Sequence, residues 1–268
     1  MLASAAPGMP VPAHGYISAG HSDSITCAPS AEQLTPDRSE MRRAVALLHP
    51  EGVVELRAIF QRGKKRIFAG YFDHEHREEL VDAAAKLNAE GASIYIAMNP
   101  LDPQLLGRYA NRIEGYAQAT ATDANVTARR WLLIDLDPSR PKDTSSTPEQ
   151  FEAAKACAGK VNAYLTERGW PKPTVAESGN GAHLLYRIDL RNDDASRDLV
   201  KSILEALAAR FDDEVSKVDR SVFNAARIVK LYGTVANKGD DVAAAPWRLS
   251  RLLDVPDPIE SVSLTLLE

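Results

Sequence analysis

The sequence predicts an α+β fold, in which a β-α-β-β-α-β module follows a smaller N-terminal α/β module. Three observations lead to this prediction. From Trp131 onward, short apolar runs typical of strands alternate with amphipathic segments at helical spacing. A Gly-Asn-Gly turn at 179–181 joins two of these runs as a hairpin. Asp135 and Asp137 end the first strand of the module. We therefore expect an antiparallel sheet with two helices on one face and the other face open for a ligand.

The composition excludes several classes of protein. The 268 residues are 44% hydrophobic and 26% charged, which is ordinary for a globular domain. No apolar stretch approaches the length of a membrane span, so no membrane partner is expected. Two cysteines, Cys27 and Cys157, exclude a disulfide framework and suit a reducing cytoplasm. A formal net charge of −5 gives no general basic surface for nucleic acid, so any such binding must come from a local patch.

The chain is predicted to contain a tail and one domain. Residues 1–40 mix five prolines with Gly, Ser and Ala and show no apolar period, so we expect a disordered N-terminal tail. The domain is expected to cover 41–268. Within it, the N-terminal module takes about 41–130 and the β-α-β-β-α-β module takes about 131–255.

The N-terminal module is predicted from three strand-like runs and one helix. The runs at 53–60 and 67–72 are joined by a polar turn and indicate a hairpin. Leu80 to Leu87 show helical spacing, and Gly91 stands where a helix commonly ends. The third strand is predicted at 93–98.

The second module is predicted from its order of apolar patterns. Thr147 and Pro148 provide a helix start, with Gln150 at the third helical position. The elements are expected in the order strand 131–137, helix 148–168, strand 173–178, strand 182–188, helix 199–211 and strand 226–232.

Asp135 and Asp137 form the first candidate site. Residues two apart on a strand face the same side, so both carboxylates would stand together at a strand end. Adjacent carboxylates repel, and burying them without a partner is unfavourable. A hard divalent cation such as Mg²⁺ would stabilise the pair. A pair of solvated acids is the alternative.

The hairpin turn and two later stretches are further candidate sites. Glycines between Ser178 and His183 would let the backbone approach an anion, with His183 as a donor, although an ordinary Asn-Gly turn explains them as well. Asp219 follows the apolar residue Val218, and it is either an active-site carboxylate or an acid in a surface loop. Three cations, Arg227, Lys230 and Lys238, follow in an acidic chain, and such a cluster suits a triphosphate.

These four stretches, in this order and spacing, resemble the catalytic domain of archaeo-eukaryotic-type primases (AEP superfamily). The resemblance is to the prim-pol group found in phages, plasmids and mobile elements, and it covers about residues 131–251. That family shows an acidic pair at a strand end, a small-residue turn ending in His, a later apolar-Asp and an Arg-rich strand. The turn motif is often Ser-x-His, whereas Gly181 precedes Ala182 and His183 here. This departure concerns the role of Ser178 more than that of His183.

The resemblance implies an RRM-like catalytic module and template-directed nucleotidyl transfer, the reaction of a DNA primase or polymerase, with two Mg²⁺ or Mn²⁺ ions. It implies partners as well: nucleoside triphosphates, a single-stranded DNA template, and a helicase or accessory domain in a longer protein. Priming or extension, and ribo- or deoxyribonucleotides, are both compatible with it. The implied catalytic and metal-holding residues are Asp135, Asp137 and Asp219. The implied nucleotide-binding residues are Ser178, Asn180, Gly181, His183, Arg227, Lys230 and Lys238. The implied template-binding residues are Arg248 and Arg251.

Two other functions remain open from the sequence. A phosphatase of the haloacid dehalogenase type also has Asp-x-Asp after an apolar strand, and residues 238–241 are similar to its later motifs. Such an enzyme needs a parallel, doubly wound sheet, whereas residues 178–183 indicate an antiparallel hairpin. A replication-initiator module that binds nucleic acid without chemistry is the other alternative, against which the full set of acids argues.

Overall fold

The computed structural model describes residues 34–61 and 63–268 and has an α+β fold with two antiparallel sheets. The predicted fold class is confirmed at this level. The tail predicted at 1–40 lies mostly outside the described residues. In the part that is described, a helix already begins at Arg38, three residues before the predicted start of order.

The elements have the following bounds. The helices are α1 (Arg38–Leu48), α2 (Arg77–Ala89), α3 (Pro148–Thr166), α4 (Asp194–Phe211) and α5 (Leu264–Leu267). The strands are β1 (Val54–Phe60), β2 (Arg66–Phe72), β3 (Ser93–Ala97), β4 (Ala128–Pro138), β5 (Thr174–Glu177), β6 (Ala182–Arg191), β7 (Ser216–Val218), β8 (Ile228–Lys230) and β9 (Arg251–Asp254). Within the described ranges, no helix has the length and apolar character that crossing a membrane requires.

The first sheet has the strand order β2-β1-β3-β8. Its predicted hairpin, β1 and β2, is confirmed, and α2 packs against β1, β2 and β3. Helix α1 packs against α2 and was not predicted. Its buried residues, Met41, Ala44, Val45 and Leu48, follow helical spacing, so the signal was present in the sequence.

The second sheet has the strand order β7-β4-β6-β5-β9. Strand β4 lies antiparallel between β6 and β7, while α3 packs against β4, β6 and β7. The predicted hairpin at 179–181 is confirmed as the connection between β5 and β6. This arrangement places the end of β4, the β5–β6 turn and the end of β7 side by side.

The predicted last strand of the second module was wrong. Residues 228–230 pair with β3 in the first sheet, with Tyr95 opposite Lys230. The strand beside β4 is β7, in which Val218 pairs with Leu136. Strand β7 has three residues, too few to show an alternating pattern, whereas β8 is followed by more apolar residues and dominates the sequence signal.

The expectation of an open sheet face also needs correction. Odd-numbered residues of β4 point to this face, yet Trp131 is 2% exposed and Leu133 is 3% exposed. Leu185 of β6 is fully buried on the same face. The first sheet contributes residues to this region, so a cavity at the end of β4 remains instead of an open surface.

Candidate active site

A cavity of about 320 Å³ lies at the end of β4 and is lined by residues of both sheets. This volume is within the usual range for small-ligand pockets. Eight of the residues singled out in the sequence line it: Asp135, Asp137, Ser178, Asn180, His183, Arg227, Lys230 and Lys238. Tyr95 and Arg140 also line it and were not predicted.

Asp135 is held by a buried histidine. His183 pairs with Asp135 across β4 and β6, and its Nε2 lies 3.4 Å from Asp135 Oδ1. The other ring nitrogen, Nδ1, hydrogen bonds with the hydroxyl of Tyr232 at 2.8 Å. Burial acts to raise the pKa of Asp135, but His183, with Arg227 and Arg140, outweighs it and keeps that pKa below its usual value. Asp135 is therefore the carboxylate that stays ionised.

Asp137 has the opposite balance. Burial raises its pKa, and the charge of Asp135 raises that pKa further. Arg140 opposes both effects, because its Nη1 lies 3.2 Å from Asp137 Oδ1. The Arg140 side chain is fixed in turn by donation from Nε to the Thr144 carbonyl. The two carboxylates thus form a like-charged pair with unequal proton affinity.

Asp219 lies beside this pair but makes other contacts. Its backbone N–H donates to the Asp135 carbonyl at 2.8 Å. Its carboxylate accepts from the Ser221 N–H at 2.8 Å and from Arg227 Nη2 at 3.3 Å. Asp219 faces a neighbouring cleft that Asp137 and Arg140 also line. The structure therefore brings the third acid to the edge of the cavity, where Arg227 neutralises it.

The donor atoms fit a hard cation in part. In the portion of the chain that the structure describes, no three His, Cys, Asp or Glu side chains are arranged to hold a metal ion. The pair Asp135 and Asp137 nevertheless offers carboxylate oxygens at one wall of the cavity. Mg²⁺ is commonly held by one or two carboxylates together with substrate phosphates. The chemistry of this pair is suited to such a cation.

Four basic side chains line the same cavity as the two carboxylates. Lys230 is only 6% exposed, and its Nζ donates to the Val235 carbonyl at 3.2 Å and lies 5.6 Å from the ring centre of Tyr95. Burial lowers the pKa of Lys230 to about 7. The excess of positive groups makes the cavity suitable for a polyanion. The four cations are Arg140, Arg227, Lys230 and Lys238.

The β5–β6 turn forms one wall. The Ser178 hydroxyl accepts from the Gly181 N–H at 2.9 Å, and Asn180 Oδ1 accepts from the Ser146 N–H at 2.9 Å. At Gly181, a Cβ atom would lie 2.2 Å from the Leu136 carbonyl oxygen, so only glycine fits. Gly181 therefore allows the turn to pack on β4, while Ser178 and Asn180 line the cavity.

Arg248 and Arg251 lie outside the cavity lining. Arg248 Nη1 donates to the carbonyls of Ser146 at 2.9 Å and Pro246 at 3.2 Å, and its guanidinium lies 4.7 Å from the ring centre of Phe151. Burial lowers the pKa of Arg248. Arg251 is exposed on β9, at the edge of the second sheet. These contacts give Arg248 a structural role between α3 and the segment before β9.

Comparison with known proteins gives few relatives. No protein-family model matches the chain, and no curated protein matches it significantly. The crystal structure of primase RepB′ is similar, with 12% identity and a TM-score of 0.48 over 86% of this chain and 60% of that chain. This chain therefore spans less than two thirds of that protein. The crystal structure of the catalytic domain of primase RepB′ in complex with initiator DNA has 13% identity and a TM-score of 0.45, over 86% of this chain and 90% of that chain.

Proposed function

We propose that this chain is a template-directed nucleotidyltransferase, a DNA primase-polymerase of the prim-pol type. It would join nucleoside triphosphates on a single-stranded DNA template, in a cytoplasmic setting. The observation that carries the proposal is the cavity that Asp135 and Asp137 line together with four cations. Paired carboxylates suit divalent cations, and clustered cations suit a triphosphate. The second sheet, with its two helices, would be the RRM-like catalytic module.

Asp135 and Asp137 would hold Mg²⁺ or Mn²⁺, with Asp219 as a third ligand. When bound, such ions would neutralise the triphosphate and favour ionisation of the attacking 3′-hydroxyl. Asp219 is engaged by Arg227 in the structure. An incoming triphosphate would compete for the Arg227 guanidinium, because a phosphate accepts its fork of donors well. This exchange would release the Asp219 carboxylate when nucleotide is present.

The remaining residues would bind and orient the nucleotide. Arg227 and Lys238 line the cavity and would contact the phosphates, while Lys230 would supply a charge beneath them. Ser178 and Asn180 would form the wall along which the nucleotide lies. His183 would serve both sides of the site, because its ring contacts Asp135 and lines the same cavity.

The structure weighs against the phosphatase alternative. Strand β4, which carries Asp135 and Asp137, has antiparallel neighbours on both sides, β6 and β7. A haloacid dehalogenase-type enzyme requires a parallel sheet around this motif. A non-catalytic initiator module would bind nucleic acid without incorporating nucleotide, so an incorporation assay distinguishes it from our proposal.

The test is an assay that reports three outcomes at once. The purified chain is incubated with a primed or unprimed homopolymer strand, Mn²⁺ or Mg²⁺, and each labelled ribo- or deoxyribonucleotide. We expect incorporation only of the nucleotide complementary to the template. Phosphate release without incorporation would indicate the phosphatase instead. Strand binding without incorporation of any nucleotide would indicate the initiator module.

A further inference from the structure

The end of the β1–β2 hairpin carries a run of cations. Lys64, Lys65 and Arg66 are consecutive in a chain whose formal net charge is −5. Lys64 and Lys65 are exposed, and within the described ranges neither forms an ion pair. A local basic patch of this kind is what a nucleic-acid partner would need in an acidic protein.

A row of rings extends from this patch. The Arg66 guanidinium lies 4.6 Å from the ring centre of Phe60, and the rings of Phe60 and Phe68 are 5.2 Å apart. Phe68 is followed at 5.6 Å by Tyr116, whose side chain is 60% exposed. Arg66 and Tyr116 thus present two flat surfaces, each backed by a phenylalanine. Such surfaces suit stacking by unpaired bases, because every base has a π face.

The patch adjoins the candidate active site. A cleft is lined by Gln61, Lys65, Lys142, Asp143, Gly239 and Asp240, so its two lysines are matched by two carboxylates. Lys238, the neighbour of Gly239, lines the active-site cavity together with Ile59 of β1. The cleft therefore places Lys65 near the cavity, but it adds no net positive charge to the patch.

We propose that single-stranded nucleic acid lies along this hairpin surface, defined by Lys64, Lys65, Arg66 and Tyr116. The lysines neutralise the phosphates, and Arg66 and Tyr116 stack bases. The identification of the strand as the template of a polymerase rests on the proposed function above. The binding of a strand to this surface does not rest on it. We place the strand here rather than at Arg248 and Arg251, because Arg248 is already engaged by two carbonyls.

Strand binding is measured without nucleotide or metal, so that it is independent of catalysis. Labelled oligothymidine is titrated with the full chain at several salt concentrations, and anisotropy gives Kd. Each phosphate contact with a single strand contributes about 0.7 to the magnitude of the slope of log affinity against log salt concentration. Removing both charges in Lys64→Ala/Lys65→Ala should therefore reduce this magnitude by about 1.4. Tyr116→Ala should weaken binding by about fivefold to 150-fold, the loss of one stacked base, while Tyr116→Phe should bind normally.

The matched control is Arg168→Ala/Lys172→Ala, which removes two exposed charges near the start of β5, at the opposite end of that strand from the active-site turn. It should leave both Kd and salt slope unchanged. The hairpin variants are Lys64→Ala/Lys65→Ala and Tyr116→Ala. Normal strand binding by both of them, or an equal loss of strand binding in the control, would overturn the inference. So would a loss confined to Arg248→Ala/Arg251→Ala. If polyglutamate competes with the strand and Tyr116→Ala binds normally, the surface is a site for acidic peptides instead.

The outcomes also separate this inference from the proposed function. If the hairpin variants lose the strand while the wild type incorporates no nucleotide, the surface stands and the polymerase does not. If incorporation is normal and the hairpin variants bind the strand normally, the polymerase stands and this surface does not.

Discussion

Asp135 and Asp137 are two residues apart, yet their surroundings predict opposite effects on stability. Asp135 is stabilised as an anion by His183, whereas Asp137 is destabilised as an anion by burial and by Asp135. At neutral pH we expect Asp137→Asn to hold or raise the free energy of unfolding. Asp135→Asn should lower it by about 1 kcal/mol. Denaturant unfolding of both variants, each correctly folded by circular dichroism, checks this. A stability loss in Asp137→Asn as large as that in Asp135→Asn would contradict the assigned electrostatics.

His183 and Arg227 are expected to act on the nucleotide. Loss of one charge-assisted hydrogen bond costs roughly 1.5–3 kcal/mol, so Arg227→Ala should weaken triphosphate binding about tenfold to a hundredfold. Arg227→Lys should restore only part of this loss, because lysine lacks the fork of donors. Both ring nitrogens of His183 are already partnered, by Asp135 and Tyr232, so His183→Ala should weaken triphosphate binding indirectly, by leaving Asp135 without its partner. Nucleotide and labelled strand are titrated separately. If both variants bind nucleotide normally but lose the strand, the two residues belong to the template site.

Lys230 should give the protein a measurable pH dependence. Its pKa is about 7 in the folded chain and about 10.5 when unfolded, so the unfolded state binds more protons between these values. The cost of burying the ammonium is therefore complete below pH 7 and is relieved as the pH rises towards 10.5. The free energy of unfolding of the wild type should rise relative to Lys230→Met by up to about 1.4 kcal/mol per pH unit in this window.

The measurement for Lys230 is denaturant unfolding of wild type and Lys230→Met at several pH values between 7 and 10. Lys172→Met, at an exposed position, is the matched control and should track the wild type at every pH. If the difference in free energy of unfolding between wild type and Lys230→Met stays constant from pH 7 to pH 10, Lys230 is not buried as an uncompensated charge.

Single residues of the site were predictable where a local pattern places them. Asp135, Asp137 and His183 stand at strand ends, and alternation along a strand brings them to one face. Tyr95 and Tyr232 were missed because their role depends on pairing with distant elements. Arg140 was missed although its partner Asp137 is only three residues away, because it lies in a loop that has no regular pattern. Nothing around Tyr95 in the sequence indicates that β8 will place Lys230 opposite it.

At the scale of elements, the start of α1 offers the clearest prediction. Asp37 caps the helix by accepting from the Glu40 N–H at 3.0 Å, and its own N–H donates to the Gly233 carbonyl at 2.7 Å. A chain that starts at Leu34 should keep the wild-type Tm and activity. A chain that starts at Met41 should have a free energy of unfolding lower by about 1 kcal/mol or more, because the cap and the first turn of α1 are removed.

The matched point variant is Asp37→Ala, which removes only the cap side chain and should cost about 1 kcal/mol. Differential scanning calorimetry of the three forms checks the prediction. Equal Tm values for the chains starting at Leu34 and Met41 would show that the cap contributes nothing. A large loss in the chain starting at Leu34 would show that residues 1–33 stabilise the domain.

Whole elements were predictable where they are long and their apolar residues are regular. Helix α3 and the β5–β6 hairpin carry start, stop and turn signals within their own sequence. Strands β7 and β8 have three residues each, and which of them lies beside β4 is decided by tertiary pairing. Sequence periodicity does not contain that information, and the wrong strand was therefore assigned to the second sheet.

At the scale of the molecule, the two sheets are interlocked by the chain itself. Strand β8 follows the last strand of the β-α-β-β-α-β order and returns to the first sheet, where it contributes Lys230 to the cavity. A cut near residue 130 would therefore separate β8 from its sheet and open the cavity. The site belongs to both sheets together, which is why no single module of the sequence contains it.

The proposed function depends on the Asp135–Asp137 pair, which would drive templated nucleotide transfer. The most direct test is incorporation of a complementary nucleotide on a primed single strand, with Mg²⁺ or Mn²⁺, by wild type, Asp137→Asn and the control Asp189→Asn, whose carboxylate is on the surface. We expect template-dependent incorporation by wild type and Asp189→Asn and none by Asp137→Asn, which stays folded. Undiminished incorporation by Asp137→Asn, or none by the wild type with either metal, would contradict the proposed function.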